Sequence, residues 1–465
     1  MISAIALDLG TTSIKAGLLD MNGALCHTVA HPAPKISADG GRYESDALAY
    51  AAIADQALNE CMAHELGATP GEFKSLGMCS QRSSFVIWEQ ASGKPVTPLI
   101  SWQDNRGAAS CEALRAHENT IREFTGLPLT PYYFAPKLRV VLKDNPDWYA
   151  RLERGELLAG TLDTFLIWRW TSGKHFVTDA SMAARTLLMD IRKQQWSAQL
   201  CGLFGIPQRI LPEIKSSAEF NLLLDNGLIL QASVGDQSAA LFASVSEVRE
   251  EALVNLGTGC FVVRFLPGEQ FALDGYLHTL VYQDSALHAH FAIEGTLNSI
   301  AAALASYPVG DCQIEDLATD DIYCVAEPSG LGAPFFRTDI GVRFSRPVEH
   351  LTQRQIASLM LEAVIFRVAR ILEDFHREYA IERVYLSGGL SELVCLQQGI
   401  AQCVPIAVYR LDQAESSLHG AALLAAGIAP GCNRKNARVD IADNAVALRE
   451  KYRHWNMWLD DLLCS

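Results

Sequence analysis

Two short segments place glycine and threonine where a chain could wrap an anion: Leu9-Gly10-Thr11-Thr12 and Leu256-Gly257-Thr258-Gly259. Glycine lets the backbone come close to a phosphate, and exposed amides and threonine hydroxyls donate hydrogen bonds to its oxygens. Asp8 stands before the first segment, where a carboxylate could hold Mg²⁺ through water. Lys15 follows it and reads equally as a neutraliser of phosphate charge or as a surface lysine on a hairpin. A third segment, Val384 to Ser391, closes an apolar run with Ser387-Gly388-Gly389. That pattern admits close approach to an adenosine, or plain packing of a helix on a sheet. A lone Gly-Thr-Thr turn is commonly an ordinary hairpin loop. Two such turns, the first led by an acid, point to phosphate chemistry.

The elements that must carry these turns are strands and helices in alternation. Ile2 to Asp8 is an apolar run ending in an acid, Ile14 to Asp20 reads as a second strand, and Met21-Asn22-Gly23 as its hairpin turn. A helix is expected over 45–65, with buried strands near 76–79 and 85–88, so the fold class is α/β. Residues 252–265 repeat the logic of the first hairpin: apolar strand, Leu-Gly-Thr turn, apolar strand. The repeat suggests two related halves, and a boundary after a helix opening at Asp236 gives domains 1–243 and 244–465. Gly420-Ala421-Ala422 starts a small-residue helix expected beside the Ser387-Gly388-Gly389 strand, and a polar-faced helical tail runs from Asn433.

Bulk properties narrow the partners. A chain of 465 residues can bury two or three cores. Its formal charge of −15 repels phosphate backbones, so no nucleic acid partner is expected, and positive charge or a metal ion must be concentrated locally to hold a nucleotide. The twelve cysteines form no Cys-x-x-Cys pair and read as buried thiols of a reducing cytosol. No stretch approaches the roughly 20 apolar residues of a membrane span, and no leader pattern precedes Ile2. The expected location is cytoplasmic, with no membrane association.

Taken in order, these segments resemble the FGGY family of carbohydrate kinases. The resemblance runs over nearly the whole chain: DLGTTSIKAGLLD, CSQRSSFVIW, SGKPVTPLISWQD, GLPLTPYYFAPKL, GTLDTFLIWRWTSG, VTDASMAARTLLMD, VGDQSAALFA, NLGTGCFVV, SGLGAPFF and LSGGLSE. It implies a two-domain actin/Hsp70/hexokinase-like (ribonuclease H-like) fold with a central cleft. It also implies ATP and Mg²⁺, a small-molecule polyol or sugar as acceptor, and a homo-oligomer, dimer or tetramer. Within the family the chain is most similar to the glycerol kinase branch, through Trp102-Gln103-Asp104, Pro131-Tyr132 and Gly235-Asp236-Gln237. Xylulose kinases carry Gly-Gln-Met-His where this chain has Ser80-Gln81-Arg82-Ser83. The match implies that Arg82, Ser83, Trp102, Tyr132, Asp236, Gln237 and Phe261 line the acceptor site. It puts Gly10, Thr11, Thr12, Lys15, Gly257, Thr258, Gly259, Gly332, Gly388 and Gly389 at the nucleotide, and Asp8 at the metal. The residue types agree: charged donors and acceptors fix hydroxyls while aromatic faces pack carbons. The aromatic residues also read individually as core, and Arg82 as a structural ion-pair partner. Asp236 is the expected catalytic base, a role compatible with its other reading as a helix N-cap.

Several positions depart from the family. Glycerol kinases have Glu after the Arg82 position; Ser83 stands there, which removes a charged hydrogen bond of roughly 1.5–3 kcal/mol or makes room for a longer substrate. Phe134 and Val140 replace a usual Ser or Thr and a usual Trp, Ser345 a usual Gly, Ser387 a usual Asp and Leu393 a frequent Asn. The segment before Gly235 lacks the basic glycine-rich loop that binds fructose bisphosphate in many bacterial glycerol kinases, so no such feedback is expected. The leading expectation is a kinase for glycerol or a similar polyol, followed by a ketose kinase such as one for xylulose. A nucleotide-binding regulator that has lost catalysis and a polymerising or chaperone-type relative complete the alternatives.

Overall fold

The computed structural model describes residues 2–65, 75–247, 250–257, 259–268, 270–412, 415–429, 436–441 and 445–464; Thr258 lies outside them. The chain divides into two compact units. The first takes 1–243 with the returning segments 278–291 and 415–433; the second takes 244–277, 292–414 and 434–465. A single cut in the sequence has no way of representing those two returns.

The first unit is built on strands β1 (Ile2–Leu9), β2 (Ser13–Asp20), β3 (Leu25–Pro32), β4 (Ser75–Ser80), β5 (Ala218–Leu223) and β6 (Ile229–Gly235), in the order β5-β6-β4-β1-β2-β3. The apolar run of β1 is that of a strand covered on both faces. Its antiparallel pairing with β2 sets Asp8 opposite Lys15, and its parallel pairing with β4 sets Asp8 opposite Cys79. A smaller sheet of Ser37–Asp39, Arg42–Ser45, Leu99–Ile100, Phe85–Glu89 and Leu157–Thr161 carries the loops on either side of Arg82 and Trp102.

The second unit repeats this plan. Strands β7 (Glu251–Leu256), β8 (Cys260–Phe265), β9 (Leu277–Gln283), β10 (Ala289–Leu297), β11 (Arg383–Ser387), β12 (Ala407–Leu411) and β13 (Asn436–Arg438) lie in the order β9-β10-β8-β7-β11-β12-β13, with all of β9 after Leu277 and the first three residues of β10 falling in the 278–291 segment of the first unit. As β1 does with β2 and β4, β7 pairs antiparallel with β8 and parallel with β11.

The helices that matter here are α1 (Ala47–Glu65), α2 (Phe134–Asp144), α3 (Ala180–Ala184), α4 (Asp236–Ser244), α5 (Gln353–Tyr379), α6 (Val394–Cys403), α7 (Ser416–Ala425) and α8 (Ala445–Cys464). The position of α7 corrects the sequence expectation. Its Gly420-Ala421-Ala422 face packs in the first unit, not beside β11: a Cβ on Gly77 of β4 would lie 2.0 Å from the Ala421 carbonyl oxygen, and one on Gly420 only 1.9 Å from that of Ala239. Small residues there bring main chain against main chain. The helix of the C-terminal tail also does more than present a polar face. Tyr452, Trp455 and Leu459 of α8 are buried, and the Trp455 indole donates to the Cys324 carbonyl at 2.7 Å. The described cysteines are free thiols, buried except for Cys26 and Cys464. Among the described residues no helix is long and apolar enough to cross a membrane.

Candidate active site

In the first unit three chain segments meet around two carboxylates. Asp236 opens α4 directly after β6, the strand-to-helix turn that projects a side chain from a sheet's carboxyl edge. Its Oδ1 accepts the Gln237 amide at 2.7 Å and lies 3.6 Å from Arg82 Nε. The Asp236 side chain keeps 27% of its surface open and that of Arg82 13%. Protein packed around Asp236 pushes its carboxyl above the usual range, while Arg82 and, less strongly, Arg185 draw it back. The preceding residue, Gly235, is held by its amide donating to Ser181 Oγ of α3 at 2.8 Å.

Asp8 is the second carboxylate. Burial, then the charge of Asp236, raises its pKa to about 7; the Cys79 thiol and Lys15 offset this only in part. Its Oδ1 is buried without a hydrogen-bond partner. An orphaned carboxylate oxygen beside a second acid fits a hard cation. Among the described residues no cluster of three or more metal-ligating side chains exists. The lone Asp8 oxygen suits Mg²⁺, which is held by one or two carboxylates together with substrate phosphates and water.

The first glycine turn is wired to this site through side chains. Gly10 cannot carry a Cβ without meeting the Ser13 carbonyl oxygen at 2.7 Å, and its own carbonyl accepts the Tyr50 hydroxyl at 2.7 Å. Thr11 Oγ1 accepts the Trp102 indole N–H at 2.9 Å and lies 3.3 Å from Gln81 Oε1, to which it donates. Gln81 Oε1 also accepts the Ser84 hydroxyl at 2.9 Å, and Ser84 Oγ accepts the Trp102 amide at 2.9 Å. Thr12 is exposed, and its carbonyl accepts the Ala33 amide at 3.0 Å. Lys15 is tied to Glu415 at 2.5 Å.

The structure therefore brings Asp8, Gly10, Thr11, Arg82, Trp102 and Asp236 into one connected arrangement. Gln237 follows on α4, half-buried. Tyr132, 41% exposed, stands in the turn that leads into α2. Ser83 is buried with a left-handed backbone, φ 64°, and its hydroxyl donates to the Arg185 carbonyl at 2.9 Å. Three residues of this arrangement were not among the site residues expected from the sequence. Gln81 joins the turn to the Ser84 loop. Arg185 is buried and donates from Nη2 to Thr279 Oγ1 at 3.0 Å. Lys137 is wholly buried beneath the Ser83 and Ser101 carbonyls.

The remaining named residues belong to the second unit. Phe261 lies on β8 opposite Asn255. The Gly257 amide donates to the Gly259 carbonyl at 2.9 Å, and a Cβ on Gly257 would meet nothing nearer than 3.8 Å. Gly388, with φ 88°, packs so closely that a Cβ would lie 2.5 Å from both Asn255 Oδ1 and the Leu256 carbonyl oxygen, while Gly389 faces open space. The Gly332 amide donates to Glu327 Oε2 at 2.9 Å, and Glu327 is paired with Arg367 at 2.8 Å in full burial. Sequence reasoning missed that pair; its only signal is a charge inside each of two apolar runs.

Residues 3–234 match the N-terminal domain, and residues 252–428 the C-terminal domain, of the FGGY family of carbohydrate kinases. A glycerol kinase from Polaromonas sp. (strain JS666) is 30% identical, with 98% of each chain covered. One from Cereibacter sphaeroides is 32% identical over 93% of this chain and 92% of its own. Among solved structures, a Plasmodium falciparum glycerol kinase with ADP superposes with a TM-score of 0.84 at 23% identity, over 99% of this chain and 98% of that one. A xylulose kinase from Rhodospirillum rubrum does so with 0.81 at 16%, over 98% of both. The chain shares their two-domain sugar-kinase fold.

Proposed function

Since the chain belongs to the FGGY family of carbohydrate kinases, and is a phosphotransferase acting on an alcohol group of a sugar or polyol, we propose that it transfers a phosphoryl group from ATP to glycerol or a glycerol-like polyol. The observation that carries this reading is the Arg82–Asp236 pair at 3.6 Å beside the orphaned Asp8 carboxylate. Asp236 accepts the hydrogen bond of the acceptor hydroxyl, aims its oxygen at the γ-phosphorus and takes its proton late. A carboxyl pushed above its usual range is the better base for this task. Arg82 donates to acceptor oxygens, with Gln237 beside it; Trp102, its N–H fixed by Thr11, offers a ring face to the carbons, as do Tyr132 and Phe261. Amides and hydroxyls at Gly10, Thr11 and Thr12, and at Gly257, Thr258 and Gly259, receive phosphate oxygens; Gly332, Gly388 and Gly389 make room for adenosine. Asp8 would hold Mg²⁺, which when bound neutralises phosphate charge.

The test is ADP release with glycerol, other polyols and ketoses as acceptors. Asp236→Asn is expected to lower turnover by about 10²–10⁴-fold; near-normal turnover removes Asp236 from the chemistry. A second reading, phosphorylation of a ketose such as xylulose, is favoured by Ser83. Its hydroxyl is committed to the Arg185 carbonyl, so it presents no carboxylate to the two hydroxyls of a short polyol. Preference for xylulose over glycerol in the same screen would select that reading.

A further inference from the structure

A lysine inside a protein is costly unless its ammonium is engaged, so the partners that hold a buried one show its task. Lys137 is such a residue. It sits in the first turn of α2 with no exposed surface, among apolar neighbours: Phe85 lies with its ring centroid 5.9 Å from Nζ, and Phe134 packs edge-on to Phe85. Burial lowers its pKa to about 7, with Asp104 opposing and Arg106 reinforcing the shift. What Nζ does in that setting is specific. It donates to the Ser83 carbonyl at 2.9 Å and to the Ser101 carbonyl at 2.8 Å.

These two carbonyls belong to separate loops. Ser83 follows Arg82, and Ser101 precedes Trp102. The loops are also joined at a second point, where the Trp102 amide donates to Ser84 Oγ at 2.9 Å. Two fastenings, Lys137 between the Ser83 and Ser101 carbonyls and Ser84 on the Trp102 amide, hold the peptide that enters Trp102 against the segment that follows Arg82, whereas one would leave a pivot. Thr11 then extends the arrangement to the first glycine turn through the Trp102 indole.

We propose that Lys137 is a positioning residue for acceptor recognition: it clamps the Arg82 loop to the Trp102 loop and so fixes the distance between the guanidinium and the indole that receive the acceptor. The role rests on the kinase reading above. It differs from a general contribution to the core because it is made through two main-chain acceptors, each adjacent to an acceptor-binding residue. Loosening the clamp therefore acts on acceptor affinity before it acts on nucleotide affinity.

The experiment measures KM for acceptor and for ATP, kcat and Tm for wild type, Lys137→Met and Phe134→Leu. The methionine keeps most of the side-chain volume and removes the donors. Phe134→Leu loosens the same core without touching either carbonyl. For Lys137→Met the expected result is an acceptor KM raised about tenfold or more (1.4 kcal/mol per decade), with the KM for ATP changed by less than about threefold. For Phe134→Leu the expected result is a lower Tm with both KM values near wild type. Equal rises of both KM values in Lys137→Met, or the same acceptor effect in Phe134→Leu, overturn the proposal. Should Lys137→Met fail to fold, Lys137→Arg, which keeps donors but displaces them, takes its place, and an unchanged acceptor KM in that variant overturns the proposal equally. If the wild type turns over no polyol or sugar, the kinase reading falls and this role with it. If the wild type is active and the variants leave acceptor KM unmoved, this role alone falls.

Discussion

The two glycine turns have the same strand framework and opposite kinds of support. At the end of β1, Asp8 faces Lys15; at the end of β7, Asn255 faces Phe261. Charge in one hairpin is thus replaced by an amide and an aromatic ring in the other. The first turn is held by side chains: Tyr50 on the Gly10 carbonyl, Trp102 on Thr11, Glu415 on Lys15. The second is held by main chain and close packing, with the Gly257 amide on the Gly259 carbonyl and Gly388 pressed against Asn255 and Leu256. The difference teaches where each kind of chemistry is placed. On the proposed kinase reading, a buried carboxylate and a directed network stand where a proton and a phosphoryl group are to move. Glycines and open space suffice where a ligand has only to be received.

The largest expected effect comes from making the first turn resemble the second. Asp8→Asn should reduce turnover by about 10²–10³-fold, the scale of losing one preorganised electrostatic group. The same change should alter stability with pH. Asp8 titrates at about 7 in the folded chain against an ordinary value of 3.8. Between those values the folded state binds more protons than the unfolded one. Its contribution to stability is therefore full below about pH 4 and is lost as pH rises through about 7. Asp179 and Glu362, also raised to about 7, act with the same sign and remain in the variant. Thermal unfolding without nucleotide should show a shallower decline from pH 4 to 7 in Asp8→Asn, and a higher Tm than wild type at pH 8. An unchanged slope would deny that Asp8 is the charged partner that distinguishes the turns.

The glycines give a smaller and opposite pair of effects. Neither Gly10 nor Gly257 has a left-handed backbone, so space alone decides. Alanine at 10 would meet the Ser13 carbonyl oxygen at 2.7 Å, and alanine at 257 nothing nearer than 3.8 Å. Gly10→Ala should cost about 1–3 kcal/mol in denaturant unfolding. Gly257→Ala should leave stability within about 0.5 kcal/mol while raising the KM for ATP, if the proposed phosphate contact at Gly257 holds and the methyl enters its space. Equal destabilisation by both would mean that the second turn is as tightly built as the first.

The turns themselves were legible in the sequence because strand pattern, glycine and threonine are local signals. So was Asp236, which opens a small-residue helix after an apolar strand. What the sequence could not carry is the identity of remote partners. The small face of α7 announces close packing, and only the fold says that its neighbour is Gly77 of the first unit. Lys137 carries no local signal of burial, because that burial depends on two carbonyls from distant loops. The Glu327–Arg367 pair shows in the sequence only as two isolated charges, with nothing local to join them. Ser83 was legible as a departure from the family, but its bond to the Arg185 carbonyl was not.

The smallest effect tests whether Lys15 belongs to the chemistry of the first turn or only to its frame. Its ammonium lies 2.5 Å from Glu415, with a quarter of the lysine side chain and nearly a third of the glutamate exposed. A partly exposed pair of this kind contributes about 0–1 kcal/mol, further screened by salt. Because Glu415 already balances it, Lys15 adds little net charge toward a phosphate. Lys15→Met should therefore lower Tm slightly at low ionic strength, lose that difference in high salt, and change the KM for ATP by less than about threefold, under 0.7 kcal/mol. A tenfold rise in that KM at unchanged Tm would show that Lys15 leaves Glu415 for the nucleotide. The first turn would then bring a mobile cation as well as a fixed carboxylate, and the contrast with the uncharged second turn would be sharper still.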